Sequence, residues 1–150
     1  MNWTGVVSPP TTSALWRAGG AAALVATVVN TALWGVGRAA GVDYRIVQPD
    51  GTLLTVDLAQ VVSQTIVAIL AGTLLLWPMT HLRAGVLVWL ILAIVVGLGS
   101  LFLPISRAQG ASTALILAPM HLVALAAVLL LPGRVAFLAA YRAGAAQSAD

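Results

Sequence analysis

Few side chains in this sequence can do chemistry, and those few lie inside long apolar runs. They are Asn30, then Gln60, Ser63, Gln64 and Thr65, then Ser100, then His121. His121 carries the one ionisable side chain within any of the expected membrane spans. A neutral imidazole offers one donor and one acceptor, and its titration range makes it a general base or a proton-responsive group. The Asn and Gln amides each donate and accept. Brought together, Asn30, Gln60, Gln64, Ser100 and His121 could bind a small polar group.

The same inventory excludes other chemistry. The 150 residues contain no cysteine. Disulfides, thiol relays, iron–sulfur clusters and Cys-type zinc sites are therefore ruled out, and so are the four-helix thiol–quinone oxidoreductases of similar size. A zinc site needs three or four ligands, whereas the spans offer one His, no Cys and no carboxylate. Haem held by two His is disfavoured because His81 is expected at the opposite membrane face. A hydrolase triad has no acid to orient His121, and ion-coupled transport has no charged side chain within the spans to use. Asp57 reads as a helix cap. No metal, cofactor or catalytic residue is expected, so an enzyme is the less favoured reading.

The elements that must hold these residues are four runs without Asp, Glu, Lys or Arg: Ala18–Gly37, Leu58–Leu82, Ala84–Ser106 and Ala108–Gly133. A bilayer's hydrocarbon core takes roughly 20 apolar residues as helix. With 61% hydrophobic and 7% charged residues, and a mean hydropathy of +1.03, the composition is that of a membrane protein. The fold class expected is an all-α four-transmembrane-helix bundle with a short extracytoplasmic β-hairpin between helices 1 and 2. It forms a single domain with spans at about residues 14–38, 57–77, 83–103 and 112–131, and a disordered tail over 143–150.

Local signals place the ends. Thr12 or Ser13 reads as the N-cap of span 1 and Gly41 as its C-terminal breaker. Helical spacing sets Gly19, Ala23, Ala26, Asn30, Leu33 and Gly37 on one face, whose small residues permit close helix approach. Pro49-Asp50-Gly51 is a turn between β-prone runs, giving a hairpin of Tyr44–Val47 with Thr52–Val56. Asp57 with Gln60 three residues on is a capping box. Thr80 reads as a cap for span 3, which should stop at Pro104. Pro119 should kink span 4, and Arg134–Arg142 reads as a short interfacial helix. Met1–Trp16 lacks the basic start of a signal peptide, so span 1 reads as an uncleaved anchor.

All seven basic residues are Arg and all four acidic ones are Asp. The pI near 10.7 would suggest a nucleic-acid partner in a soluble protein. Here the Arg residues stand singly at span ends, so no nucleic acid is expected. The expected partners are the lipid bilayer and, as alternatives, a second copy or another membrane protein. Arg17, Arg83, Arg134 and Arg142 fall on one side, and Arg38, Arg45 and Arg107 on the other. That bias puts both termini in the cytoplasm of a multi-pass plasma-membrane protein.

At about 1.5 Å per residue, Asn30, Gln64 and His121 lie roughly 10–15 Å in from the hairpin side. Gln60, Gln64, Val67 and Ala71 share a face of span 2. Asn30, Gln64 and His121 are expected to meet as one polar cluster beneath the hairpin. Three readings follow. The cluster is interhelical glue in a non-enzymatic protein acting through helix–helix or lipid contacts, or it lines an outward-facing small-molecule or lipid pocket around His121. The third reading is an enzyme with His121 as general base.

Several of these features together resemble a known family. They are the length, the four spans, Asn30 toward the end of span 1, the Pro-Asp-Gly hairpin before a capped span 2, and the run Pro119-Met120-His121-Leu122-Val123-Ala124. The chain resembles, over Leu15 to Leu131, an actinobacterial family of uncharacterised four-span integral membrane proteins catalogued as domain of unknown function 6069. The resemblance implies the fold and the membrane location, and no activity.

Overall fold

A computed structural model describes residues 11–136. The elements run α1 (Thr12–Ala39), β1 (Arg45–Val47), β2 (Leu53–Thr55), α2 (Leu58–Met79), α3 (Gly85–Ser100), α4 (Phe102–Arg107) and α5 (Ala111–Leu129). Four helical segments are long and apolar enough to cross a membrane: Thr12–Ala39, Leu58–Met79, Gly85–Arg107 and Ala111–Ala136. The interfacial helix expected over Arg134–Arg142 lies largely outside the described residues, as does the tail at 143–150.

The caps explain where α1 and α2 begin and end. Thr11, one residue before the expected position, caps α1 by accepting from the Ala14 N–H at 3.3 Å. At the far end the Gly41 N–H donates to Arg38 O and the Val42 N–H to Gly37 O. This pairing of orphan carbonyls needs a left-handed residue at Gly41, where φ is +81°. Asp57 accepts from Gln60 N at 2.8 Å while Gln60 Oε1 accepts from Asp57 N at 3.1 Å. That is the capping box expected of α2.

The third span departs from expectation. Its helix is interrupted at Leu101 and resumes as α4, so Pro104 lies within a helix that reaches Arg107. Pro104 is the third residue of α4, where its missing N–H would have had no helical partner. Thr80 caps no helix start. It closes α2, donating from Oγ1 to Trp77 O, and α3 begins without a side-chain cap. Pro78 is likewise inside α2, which continues to Met79.

α1 packs chiefly on α2 and then on α5, while α3 packs on α5 and α2. Small residues set the closest approaches. A Cβ on Gly19 would run into Thr73 of α2, and one on Gly97 into Leu125 of α5. The expected face of α1 is the buried one, with Gly19, Ala23, Ala26, Asn30 and Gly37 all inside and Leu33 half-buried.

Two apolar cores result. The larger joins Leu15, Ala18, Ala22, Ile69, Leu76, Trp89 and Leu131. The smaller, Val42, Tyr44, Val61, Leu117 and Met120, sits under the hairpin. Arg45, Ile46 and Val47 pair antiparallel with Thr55, Leu54 and Leu53. Asp50 tightens the turn by accepting from the Thr52 N–H and hydroxyl, which holds its carboxyl below the usual carboxylate range.

Candidate functional site

The hairpin is fastened to the bundle at several points. Tyr44 Oη donates to Trp34 O at 2.9 Å near the end of α1, and its ring stacks on Trp34 with centroids 6.0 Å apart. The Trp34 indole donates to Val56 O at 3.3 Å. The Gln109 N–H donates to Arg45 O at 2.8 Å, and Ile46 bridges to Ala108, so β1 is also tied to the α4–α5 connection. Tyr44 holds φ at +55°, a conformation costing on the order of 1–3 kcal/mol in a non-glycine residue. Its complete burial and its hydroxyl bond fix that geometry. Burial raises the phenol's pKa above 10.0, and the nearby Arg38 charge opposes the rise.

Beneath this roof lies a cleft of about 360 Å³. Ile46, Leu54 and Val56 of the hairpin segment line it from above. Gln60, Gln64 and Thr65 come from α2, Leu103 from α4, and Met120 and His121 from α5, with Asn30 of α1 at the floor. Among the described residues no charged side chain lines it. A second groove of about 350 Å³ runs between α2, α3 and α5, lined by Trp89, Gly97, Ser100 and Leu125 among others. Ala68, His121 and Ala124 border both spaces.

Asn30 is the centre of the polar floor. It is 2% exposed. Its Nδ2 donates to Thr65 Oγ1 at 2.9 Å and to Met120 O at 3.2 Å, tying α1 to α2 and α5 at one point. The Met120 carbonyl can only accept, which fixes which way the amide points. Asn30 Oδ1 is then left buried without a hydrogen-bond partner.

Thr65 passes its own proton to Val61 O at 2.7 Å. His121 is half-buried, with Nδ1 2.8 Å from Leu117 O. A carbonyl oxygen only accepts, so Nδ1 carries the proton and Nε2 of the neutral ring is a free acceptor.

The five residues expected from the sequence divide. Asn30, Gln60, Gln64 and His121 border the cleft, while Ser100 borders the second groove and donates to Gly97 O. The expected packing face of α2 is corrected. Gln64 is exposed, and the buried face is Val61, Thr65, Ile69, Thr73 and Leu76. The partner of Asn30 is therefore Thr65, one residue on, while Gln64 stands at the rim.

Spacing gave no signal for Thr65, because Gln60, Gln64 and Ala68 recur at the same interval as Val61, Thr65 and Ile69. The hairpin side chains that line the cleft and the Met120 carbonyl had none either. Among the described residues no three His, Asp or Glu side chains come together as metal ligands would.

Among the described residues, four helices long and apolar enough to cross a membrane, a strapped hairpin and a cleft beneath it define the class, a small multi-pass membrane protein. The chain belongs to a family of unknown function, DUF6069, whose model matches residues 10–137. No curated protein and no solved structure matches it.

Proposed function

We propose that the protein binds a small apolar or amphipathic molecule in the cleft beneath the hairpin and performs no chemical step on it. It does so as a multi-pass plasma-membrane protein with both termini cytoplasmic and the hairpin outside. The observation that carries this reading is the convergence of Asn30, Gln60, Gln64 and His121 on one cleft of about 360 Å³, within the size range of small-molecule sites. Interhelical glue accounts for the Asn30 amide nitrogen, which bonds two other helices. It leaves the Asn30 carbonyl oxygen unexplained, since that atom bonds nothing.

The absence of an acid or Arg among the lining residues supports binding over catalysis. His121 has no carboxylate to orient it, and its Nδ1 is committed to Leu117 O. The Arg distribution along the sequence supports the orientation, with Arg17, Arg83, Arg134 and Arg142 flanking the spans on one side against Arg38, Arg45 and Arg107 on the other.

The test is native mass spectrometry of the purified full chain beside Ala68→Trp. Ala68 is exposed and borders both spaces, so an indole there adds bulk to their shared lining while lying off the buried face of α2. Wild type should retain a small adduct that the variant lacks. Equal adducts on both would refute the reading.

A further inference from the structure

We infer that the ligand is an uncharged lipid alcohol, with a single long chain in the groove between α2, α3 and α5 and a hydroxyl donated to Asn30 Oδ1. This rests on the ligand-binding reading and names its chemical class. Three observations select the head. Asn30 Oδ1 is a buried acceptor with no donor, and a buried acceptor left unpaired costs about 1–3 kcal/mol until a donor arrives. His121 borders the same cleft with Nδ1 taken up by Leu117 O, so Nε2 of a neutral ring is a second acceptor. Among the described residues no Arg, Asp or Glu borders the space, so a phosphate, carboxylate or ammonium head would sit unpaired in a low-dielectric site. Two acceptors without a cation repel a carboxylate and accept a hydroxyl.

The tail follows from the second groove. It shares Ala68, His121 and Ala124 with the cleft as lining residues and extends along α2 to Leu75 and Met79. From Gln60 to Met79 the helix rises roughly 28 Å, close to the hydrocarbon thickness of a bilayer. The groove's polar lining is little more than Ser100 and His121, and the Ser100 hydroxyl is already bonded to Gly97 O. Met120, unbranched and adaptable, borders the cleft beside Asn30. It is the floor side chain that yields to admit the hydroxyl.

The experiment labels the full-length protein in nanodiscs with three diazirine-bearing probes of one chain length: the primary alcohol, its methyl ether and the fatty acid. Crosslinks are mapped by mass spectrometry. The alcohol should label α2, α3 and α5 residues of the groove at about tenfold lower concentration than the ether or the acid, equivalent to ~1.4 kcal/mol. Asn30→Leu should bring the alcohol to the level of the ether.

If that variant does not fold, the alcohol-to-ether comparison on wild type decides alone. Equal labelling of the groove by alcohol and ether, or preference for the acid, overturns the alcohol assignment and leaves the cleft reading standing. If no probe labels the groove above the outward face of α3, both fall.

Discussion

Gly19 and Thr73 form the tightest point of the α1–α2 seam, and substituting them tests how this bundle is held. A Cβ at Gly19 would meet the Thr73 hydroxyl oxygen, with Thr73 Cγ2 at 2.6 Å and Thr73 Cβ at 3.0 Å. Carbon atoms in good contact stand about 3.5–4.0 Å apart, so the methyl is roughly 1 Å too close. Thr73 cannot step aside. It is fully buried, its hydroxyl donates to Ile69 O at 2.8 Å, and a β-branched side chain on a helix has few rotamers.

Gly19→Ala must therefore push α1 from α2, at a cost of about 1–3 kcal/mol for overpacking. Thr73→Ala removes the two nearest atoms and should cost about 1 kcal/mol as a small cavity. The double variant keeps only the 3.0 Å contact. It should be more stable than the sum of the two single costs by at least ~1 kcal/mol, well beyond the ~0.5 kcal/mol scatter of independent sites.

Unfolding in mixed micelles of rising SDS fraction, followed by tryptophan emission, measures the three variants. Additive losses would refute the claim that these two residues set the helix separation. The seam matters for the site, because the same two helices bring Asn30 to 2.9 Å from Thr65.

Other outcomes follow from the geometry. Asn30→Leu should change stability by no more than ~1 kcal/mol in the same assay, since hydrogen bonds between membrane helices average about 0.6 kcal/mol. Thr65 keeps its bond to Val61 O, so the substitution strands no hydroxyl, and a loss above ~3 kcal/mol would contradict this. Tyr44 has its pKa raised by burial, so its contribution is complete below pH 10.0 and lost as pH rises through the higher folded value. Wild type should then release the hairpin in alkali, read as a tyrosinate absorbance step additional to that of Tyr141, which a Tyr44→Phe control retains alone. Asp57→Ala removes the capping box and should cost about 1 kcal/mol. The chain has no cysteine, so Pro49→Cys in the exposed turn reports topology by itself. A membrane-impermeant maleimide should label it on intact cells, and labelling only after lysis would reverse the proposed orientation.

The sequence by itself determined the architecture, because the reasons are local. A charge-free run of some 20 residues must satisfy its backbone internally, which means a helix. Asp57 with Gln60 and Gly41 carry their cap geometry within a few residues. Pro49-Asp50-Gly51 turns the chain whatever lies nearby. The small-residue face of α1 was legible for the same reason.

What only the tertiary structure decided was the rotation of α2 and the roof over the cleft. α2 is apolar nearly all round, so its pattern does not choose between the Gln64 face and the Thr65 face. The close packing of Gly19 on Thr73 chooses, and Thr65 turns inward with Thr73, two helical turns away. Asn30, Gln64 and His121 were readable as polar residues at a shared depth. That they border a cleft rather than fill a core depends on Tyr44, Trp34 and Gln109 holding the hairpin above them. Those bonds join residues far apart in the chain, and no spacing records them.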